Sequence, residues 1–513
     1  MMHSPYLSVR IGRRLAGIPV AGCLLLTSAG VSAQESAPDA AATRTLRIEP
    51  RVSVTETVTN NVRLSNSGQQ SEQVTEISPG IRISSNGGRF KTYLDYALTE
   101  TVYAQNSSSN RSQNALTTFG TLEAVDNKVF LDFNGSISQQ SISVFGAPSV
   151  STTSLNANQT EVSNYRISPY VRGRLGNLAN YEARYSRAIT QSDSALTGNQ
   201  TTTDGVFQIS GDSAFRNLGW TADVSRQQVD FSAGRATESD QLNLGLSYLI
   251  DPQFRVFASG GQESNNFSTP EKESSATSRY GVNWSPSPNT KISASQGQRS
   301  FGDIYSASVD HRTARTAWRF TDSKDASVTP GQAGFASLGS NFDLVASLLG
   351  STQAANQFFL NNPGFNPNQP ALIQVLNSSV ALVHRQDLSV ALLGVRDTLT
   401  FSASRSEISR LDTTATGFFG DFVTSSVIRQ DGVSVNYAHR LTPDYSLNVL
   451  LAQQNTSGDV GQLETTLHQF NINVAGRVGK KTFASLGLRR SLFSSTTSPY
   501  GETAVTFNLI FQL

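Results

Sequence analysis

The side chains able to act as base, nucleophile or metal ligand are few and scattered. Beyond residue 33 the histidines are His311, His384, His439 and His468, and no two have the spacing of paired helical metal ligands. The single cysteine, Cys23, lies in the N-terminal segment, so neither a thiolate metal site nor a disulfide is expected. Serine is so abundant that a serine beside a histidine would arise by coincidence, and a working nucleophile also needs a third group to orient its base. Ser259-Gly260-Gly261 lacks the Lys-Ser/Thr and the helix of a phosphate loop. No catalytic, cofactor-binding or metal-binding residue is therefore expected. The informative chemistry is charge in alternation: Arg166, Arg172 and Arg174 on one stretch, Glu182 and Arg184 on the next, with Lys91, Asp95, Arg315, Arg319 and Arg477 elsewhere.

Those charges sit in segments that read as strands. Leu242, Leu244, Leu246, Tyr248 and Ile250 alternate with Asn243, Gly245 and Ser247. Phe90, Leu94, Tyr96, Leu98 and Val102 alternate with Lys91, Asp95, Thr99 and Thr101, and the same period of two recurs at Val129–Ser138 and Leu218–Val224. Short turn signals, such as Asn86-Gly87-Gly88, Asp126-Asn127, Asp251-Pro252 and Thr442-Pro443, alternate with longer polar stretches, such as 58–72, 143–160 and 412–423. That asymmetry is the signature of an outer-membrane barrel, with short turns on the periplasmic side and long loops outside. The predicted fold is all-β, a transmembrane antiparallel up-and-down barrel over 45–513. It has about 22 strands, or about 20 if 290–327 holds one strand instead of three. The alternating charges then point into the lumen. There they either pair across strands and fill a polar interior, or guide charged solutes. Tyr93, Tyr103 and Tyr170 offer sugar-stacking surfaces, or the interfacial girdle such barrels carry.

The ends agree with this. Arg10, Arg13 and Arg14 precede an apolar run from Leu15 to Thr27 and a small-residue site, Val31-Ser32-Ala33, the pattern of a secretory signal peptide cleaved near Ala33. Val20-Ala21-Gly22-Cys23 offers a competing lipoprotein reading, and Arg13-Arg14 a twin-arginine one. Segment 1–33 holds three of the 40 Lys and Arg and no Asp or Glu, leaving 37 basic against 39 acidic residues. A near-neutral chain without a basic run disfavours nucleic-acid binding. Residues 34–44 read as a flexible periplasmic lead. Residues 328–376 read as a long outer loop that either folds into the lumen or stays on the surface. At the C-terminus Val505, Phe507, Leu509, Phe511 and Leu513 alternate to the last residue, as in the terminal strands that direct barrels into the outer membrane. Outer-membrane lipid and the barrel-assembly machinery are the expected partners.

Several of these segments resemble the outer-membrane β-barrel proteins associated with the PEP-CTERM/exosortase system and exopolysaccharide gene clusters. The residues are Glu56-Thr57-Val58-Thr59-Asn60-Asn61-Val62, Ser78-Pro79-Gly80-Ile81-Arg82, Leu94-Asp95-Tyr96, Ile167-Ser168-Pro169-Tyr170-Val171-Arg172, Arg184-Tyr185, and His311-Arg312-Thr313 through Trp318. The similarity covers most of the chain after the signal. It departs at Asn60, where an acidic residue is common, and at Leu513, where an aromatic is usual. The resemblance implies a channel or accessory in exopolysaccharide export, with exopolysaccharide and periplasmic export components as partners and no catalytic residues. A solute porin, a non-conducting surface-anchoring barrel and, last, a barrel hydrolase are the alternatives.

Overall fold

The computed structural model describes residues 46–194, 198–212, 217–232, 234–327, 380–412, 420–459 and 463–513. The expected signal peptide, the lead and segment 328–376 lie outside the described residues. Strands follow one another along the chain. The first eight are β1 (Leu46–Thr59), β2 (Glu72–Asn86), β3 (Phe90–Tyr103), β4 (Arg111–Val125), β5 (Val129–Ser141), β6 (Gln159–Leu175), β7 (Ala179–Ser192) and β8 (Gln200–Asp212). Next come β9 (Leu218–Phe231), β10 (Thr237–Asp251), β11 (Phe254–Asn265), β12 (Glu273–Ser287), β13 (Thr290–Arg299), β14 (Gly302–Arg312) and β15 (Thr316–Ser327). The rest are β16 (Ala381–Leu393), β17 (Asp397–Arg410), β18 (Val427–Arg440), β19 (Tyr445–Gly458), β20 (Glu464–Arg477), β21 (Thr482–Ser495) and β22 (Tyr500–Gln512).

Each strand pairs antiparallel with the next, and β22 pairs back onto β1 with Thr57 opposite Thr506. The result is a closed 22-stranded barrel, as the alternation predicts. The ambiguous region 290–327 holds three strands, β13 to β15. Their first connection is only Ser300-Phe301, closed by Gly302 at φ +117°, so a lone glycine is its whole turn signal. Closure leaves no unpaired edge, which is what lets a sheet cross lipid. The strands are 10 to 17 residues long, enough to span when tilted.

The apolar alternates point outward. Leu244 and Leu246 are 60% and 57% exposed, and Val505, Phe507 and Phe511 are exposed beside them in kind. Such a band around a closed sheet is a lipid-facing surface. The terminal strand completes it at the seam, with Leu509 opposite Val54, and the Leu513 N–H donates to the Pro50 carbonyl at 3.0 Å.

Proline interrupts the ladder in mid-strand at Ser78-Pro79 in β2 and Ser168-Pro169 in β6, and again near a turn at Ser285-Pro286 in β12. In each place the register with the following strand skips the Ser-Pro pair, since proline has no N–H to give the ladder. Beside the first, a Cβ at Gly80 would lie 2.7 Å from the Tyr96 carbonyl and 3.4 Å from Arg51 Nε. Glycine there leaves room for the Arg51 side chain to reach β3.

Candidate functional site

Alternation sorts the expected lumen residues into two groups. The first is paired along the wall. Arg51 and Arg82 both hold the buried Asp95, at 2.5 and 2.9 Å, and the Tyr93 hydroxyl donates to the same carboxylate. Arg166 meets Asp204 at 2.6 Å. Arg184 lies between Asp132 (2.8 Å) and Glu182 (3.0 Å), with its guanidinium 3.8 Å from the centre of the Tyr170 ring. Apart from Arg184–Glu182, which lies within β7, these ion pairs join neighbouring or next-but-one strands, as cross-strand pairing predicts.

The second group lies at the short-turn end. Lys91 is the second residue of β3, Arg172 and Arg174 stand in the last four of β6, and Arg477 ends β20. All four are exposed, and among the described residues none has an acidic partner within ion-pair distance. Arg172 lies 4.2 Å from the Phe130 ring centre and Arg477 5.6 Å from that of Phe483, both stacked on the wall with their charge uncancelled. Alternation adds Arg255 and Lys291, each exposed at the second position of β11 and β13, which the sequence reading missed. The acidic residues there include Glu49 with Arg47, Asp310 at 3.7 Å from Arg319, and Asp212. Two expectations need correcting. Arg315 lies in the exposed turn between β14 and β15, not on the wall, because β14 ends at Arg312 and β15 begins at Thr316. Tyr93, Tyr103 and Tyr170 form no girdle: each faces inward and is engaged there by Asp95, by a loop carbonyl, or by Phe130 and Arg184.

The opposite end is crossed by chain. Residues 142–158 leave the wall between β5 and β6 and meet residues 420–423 of the β17–β18 connection, which starts about halfway round the ring. Phe145 joins Phe422 and the inward-facing Ala381, Ile408 and Ile428 in one apolar cluster. Ala147 joins Leu64, Leu467, Phe493 and Tyr500 in a second, where the Tyr500 hydroxyl donates to the Pro148 carbonyl at 2.6 Å. The loop then returns along β2 to β4. The Tyr103 hydroxyl donates to the Thr153 carbonyl, Arg111 donates to those of Thr152 and Ser154, and the Leu155 N–H donates to that of Val62. Loop 142–158 therefore narrows the lumen near its long-loop mouth. The segment 328–376, expected either to fold into the lumen or to stay on the surface, lies outside the described residues. The missed signal was the apolar run Val144-Phe145-Gly146-Ala147-Pro148 inside a polar stretch.

Polar latches hold the crossing. The Ser143 hydroxyl and the Val144 N–H, at 2.8 Å, both donate to the Asp421 carboxylate. Burial pushes the Asp421 pKa up, and these two hydrogen bonds only partly offset it. Arg235, after β9, meets Asp412, after β17, at 2.9 Å and donates to the Phe267 carbonyl. Phe267 packs with Val229 and Val380 in a third apolar cluster at this mouth. Just past the end of β1, Asn61 is fully buried. It donates to the carbonyls of Ser65 and Gly501, while the Thr503 N–H donates to Asn60 Oδ1 at 2.7 Å. The Asn60-Asn61-Val62 element thus pins the seam and the first loop.

Histidine chemistry stays outside the lumen. His384 Nε2 lies 2.7 Å from the Tyr305 hydroxyl and 3.1 Å from Asp322, and His439 lies 2.6 Å from Asp397, on the outward face. Among the described residues no serine hydroxyl hydrogen-bonds a histidine, and no three His, Cys, Asp or Glu side chains form a metal cluster.

No family model matches the chain, and no curated protein does. Solved structures that are similar include the siderophore receptor PirA from Acinetobacter baumannii (8% identity, 91% of this chain and 80% of that one, TM-score 0.47). The FrpB iron transporter from Neisseria meningitidis gives 10% identity over 91% and 82% with a TM-score of 0.46. OccAB1 from Acinetobacter baumannii gives 8% over 92% and 97% with a TM-score of 0.34. At these values the likenesses say nothing about what this chain carries. Its class, a closed transmembrane β-barrel, rests on its own strand pairing.

Proposed function

We propose that this protein is an outer-membrane channel for anionic cargo. Its cationic mouth faces the periplasm and its constriction faces outward. The observation that carries the reading is the set of exposed cations at the short-turn end, which lack acidic partners among the described residues while the wall above them is internally paired. Short turns lie on the periplasmic side of such barrels, so these cations would meet cargo arriving from inside. Basic rings of this kind favour anions. Mechanism is passive: the barrel supplies a hydrated path, loop 142–158 sets its width, and the driving force comes from synthesis or from partners. The finer proposal, export of an acidic exopolysaccharide, rests on the resemblance of the Asn60-Asn61-Val62 and Ser-Pro elements.

The test is single-channel conductance of the refolded chain from residue 34 in a planar bilayer, with an acidic polysaccharide added to each side in turn. Conductance, anion preference, and block from the short-turn side more than from the other are expected. A folded barrel that neither conducts nor becomes conducting when loop 142–158 is shortened would overturn the reading. The second reading, a non-conducting barrel that presents its outer loops, is favoured by the apolar clusters packed at the long-loop mouth, and that same result would support it.

A further inference from the structure

Consecutive arginines on β21 face opposite ways. Arg489 points inward, where the buried Glu502 neutralises it at 2.9 Å. Arg490 points outward between Leu488 and Leu492, both exposed on the lipid-facing wall. Its hydrogen bond, to Thr503 Oγ1, is long at 3.4 Å, and among the described residues no carboxylate lies within ion-pair distance. Several other outward cations toward the long-loop end are matched, Arg226 and Lys272 with Glu238 and Asp240, Arg429 with Glu407 and Arg405 with Asp431, whereas Arg187 on β7 and Lys324 on β15 have, like Arg490, no carboxylate within ion-pair distance among the described residues. A charged side chain on this face is destabilising in a depth-dependent way, most at the midplane and least at the interfaces. Arg490 is the ninth of fourteen residues in β21, on the long-loop side of its middle, with apolar Leu486 and Leu488 below it.

Beside Arg490 the wall is concave. A groove of about 340 Å³ runs across β18 to β21, floored by Val433, Val435, Leu451 and Phe470, with Arg490 and His468 on its border. Register explains the shape. Val435, Leu451, Phe470 and Arg490 stand opposite one another in a single row across four strands, and Gln453, His468 and Leu492 lie in the next row up. An apolar trough with a guanidinium at its edge fits an acyl chain carrying an anionic headgroup.

We infer that this groove binds a phosphorylated, multiply acylated glycolipid of the outer leaflet, of the lipid A type, with one acyl chain in the trough and a phosphate on Arg490. Guanidinium and phosphate match in a two-point geometry that a lysine would not give. His468 contributes a ring nitrogen beside the headgroup. The site rests on the membrane-barrel reading but is independent of whether the lumen conducts.

The experiment is native mass spectrometry of the refolded barrel in detergent, with diphosphoryl lipid A, its phosphate-free form, or phosphatidylglycerol as probes. One retained diphosphoryl lipid A per barrel is expected, with retention at least tenfold lower for Arg490→Gln and for the groove-filling Leu451→Trp. Arg187→Gln, which changes an outward arginine on β7, is expected to leave retention unchanged. Heat-modifiable mobility checks that each variant is folded, and conductance reads the lumen separately. Equal retention by Arg490→Gln, or by the phosphate-free lipid, would overturn the site. Equal retention of phosphatidylglycerol would overturn its assignment to a glycolipid.

Discussion

The two mouths of the barrel share one wall and are finished differently. At the long-loop end, chain crosses the opening, aromatic side chains pack into apolar clusters, and charges such as Arg235 and Asp412 meet one another. At the short-turn end the strands stop after tight connections, and Lys91, Arg172, Arg174 and Arg477 stay in water. Burial decides the difference. A charge under a loop is desolvated and costs several kcal/mol unless it is paired. A charge on an open rim is solvated, and pairing there is worth only about 0–1 kcal/mol. Cations can therefore be left free for a ligand only where no loop covers them.

The largest effect should come from removing the crossing. Replacing 143–157 with a short glycine-serine link is expected to raise unitary conductance several-fold. An unchanged step would mean that the loop does not set the width. Unseating Phe145 alone is a milder version. Phe145→Ala should remove about 3 kcal/mol of docking free energy, shifting the loop toward undocked states by roughly a hundredfold, which appears as frequent long openings in single-channel records. Next in size, the triple change Lys91→Gln, Arg172→Gln, Arg174→Gln should lower the anion-over-cation permeability ratio about threefold or more, read from the reversal potential in a salt gradient. The same change should leave the docked crossing intact, so a concurrent rise in open time would show that the mouths are coupled.

The smallest effect is pH dependence. Because burial raises the Asp421 pKa, the docked loop favours the protonated carboxyl. Docking is strongest below the ordinary aspartate range and weakens as pH rises through the elevated value and charges the buried group. Open probability should therefore be lower at acidic than at neutral pH, and Asp421→Asn should flatten the profile. A dependence of opposite sign, or one that survives the substitution, would remove Asp421 as the sensor.

Much of the architecture was legible because period two is a local property. Leu242 to Ile250 show which face is apolar without reference to any partner, and turns such as Asp126-Asn127 announce themselves by residue type. The turn at Ser300-Phe301 did not, since two residues of no special chemistry suffice when Gly302 takes the positive φ. Lumen charges were legible as to face but not as to state. Asp95 and Lys91 lie on the same side of β3, yet one is clamped by arginines from β1 and β2 and the other is exposed. Arg315 was misplaced by three residues of turn. The crossing by loop 142–158 was not legible from loop length; its signal is the apolar content of 144–148.

Sequence alone determined that the chain alternates and which face of each strand meets lipid. These follow from side-chain chemistry read at fixed spacing along one strand. Only the tertiary structure decided that loop 142–158 crosses the lumen, that Asp421 waits for it from the other side, and that Arg489 is neutralised while Arg490 faces lipid. Each depends on which strands become neighbours, or lie opposite, once the ring closes. Those distances in space have no counterpart in the spacing of residues along the chain.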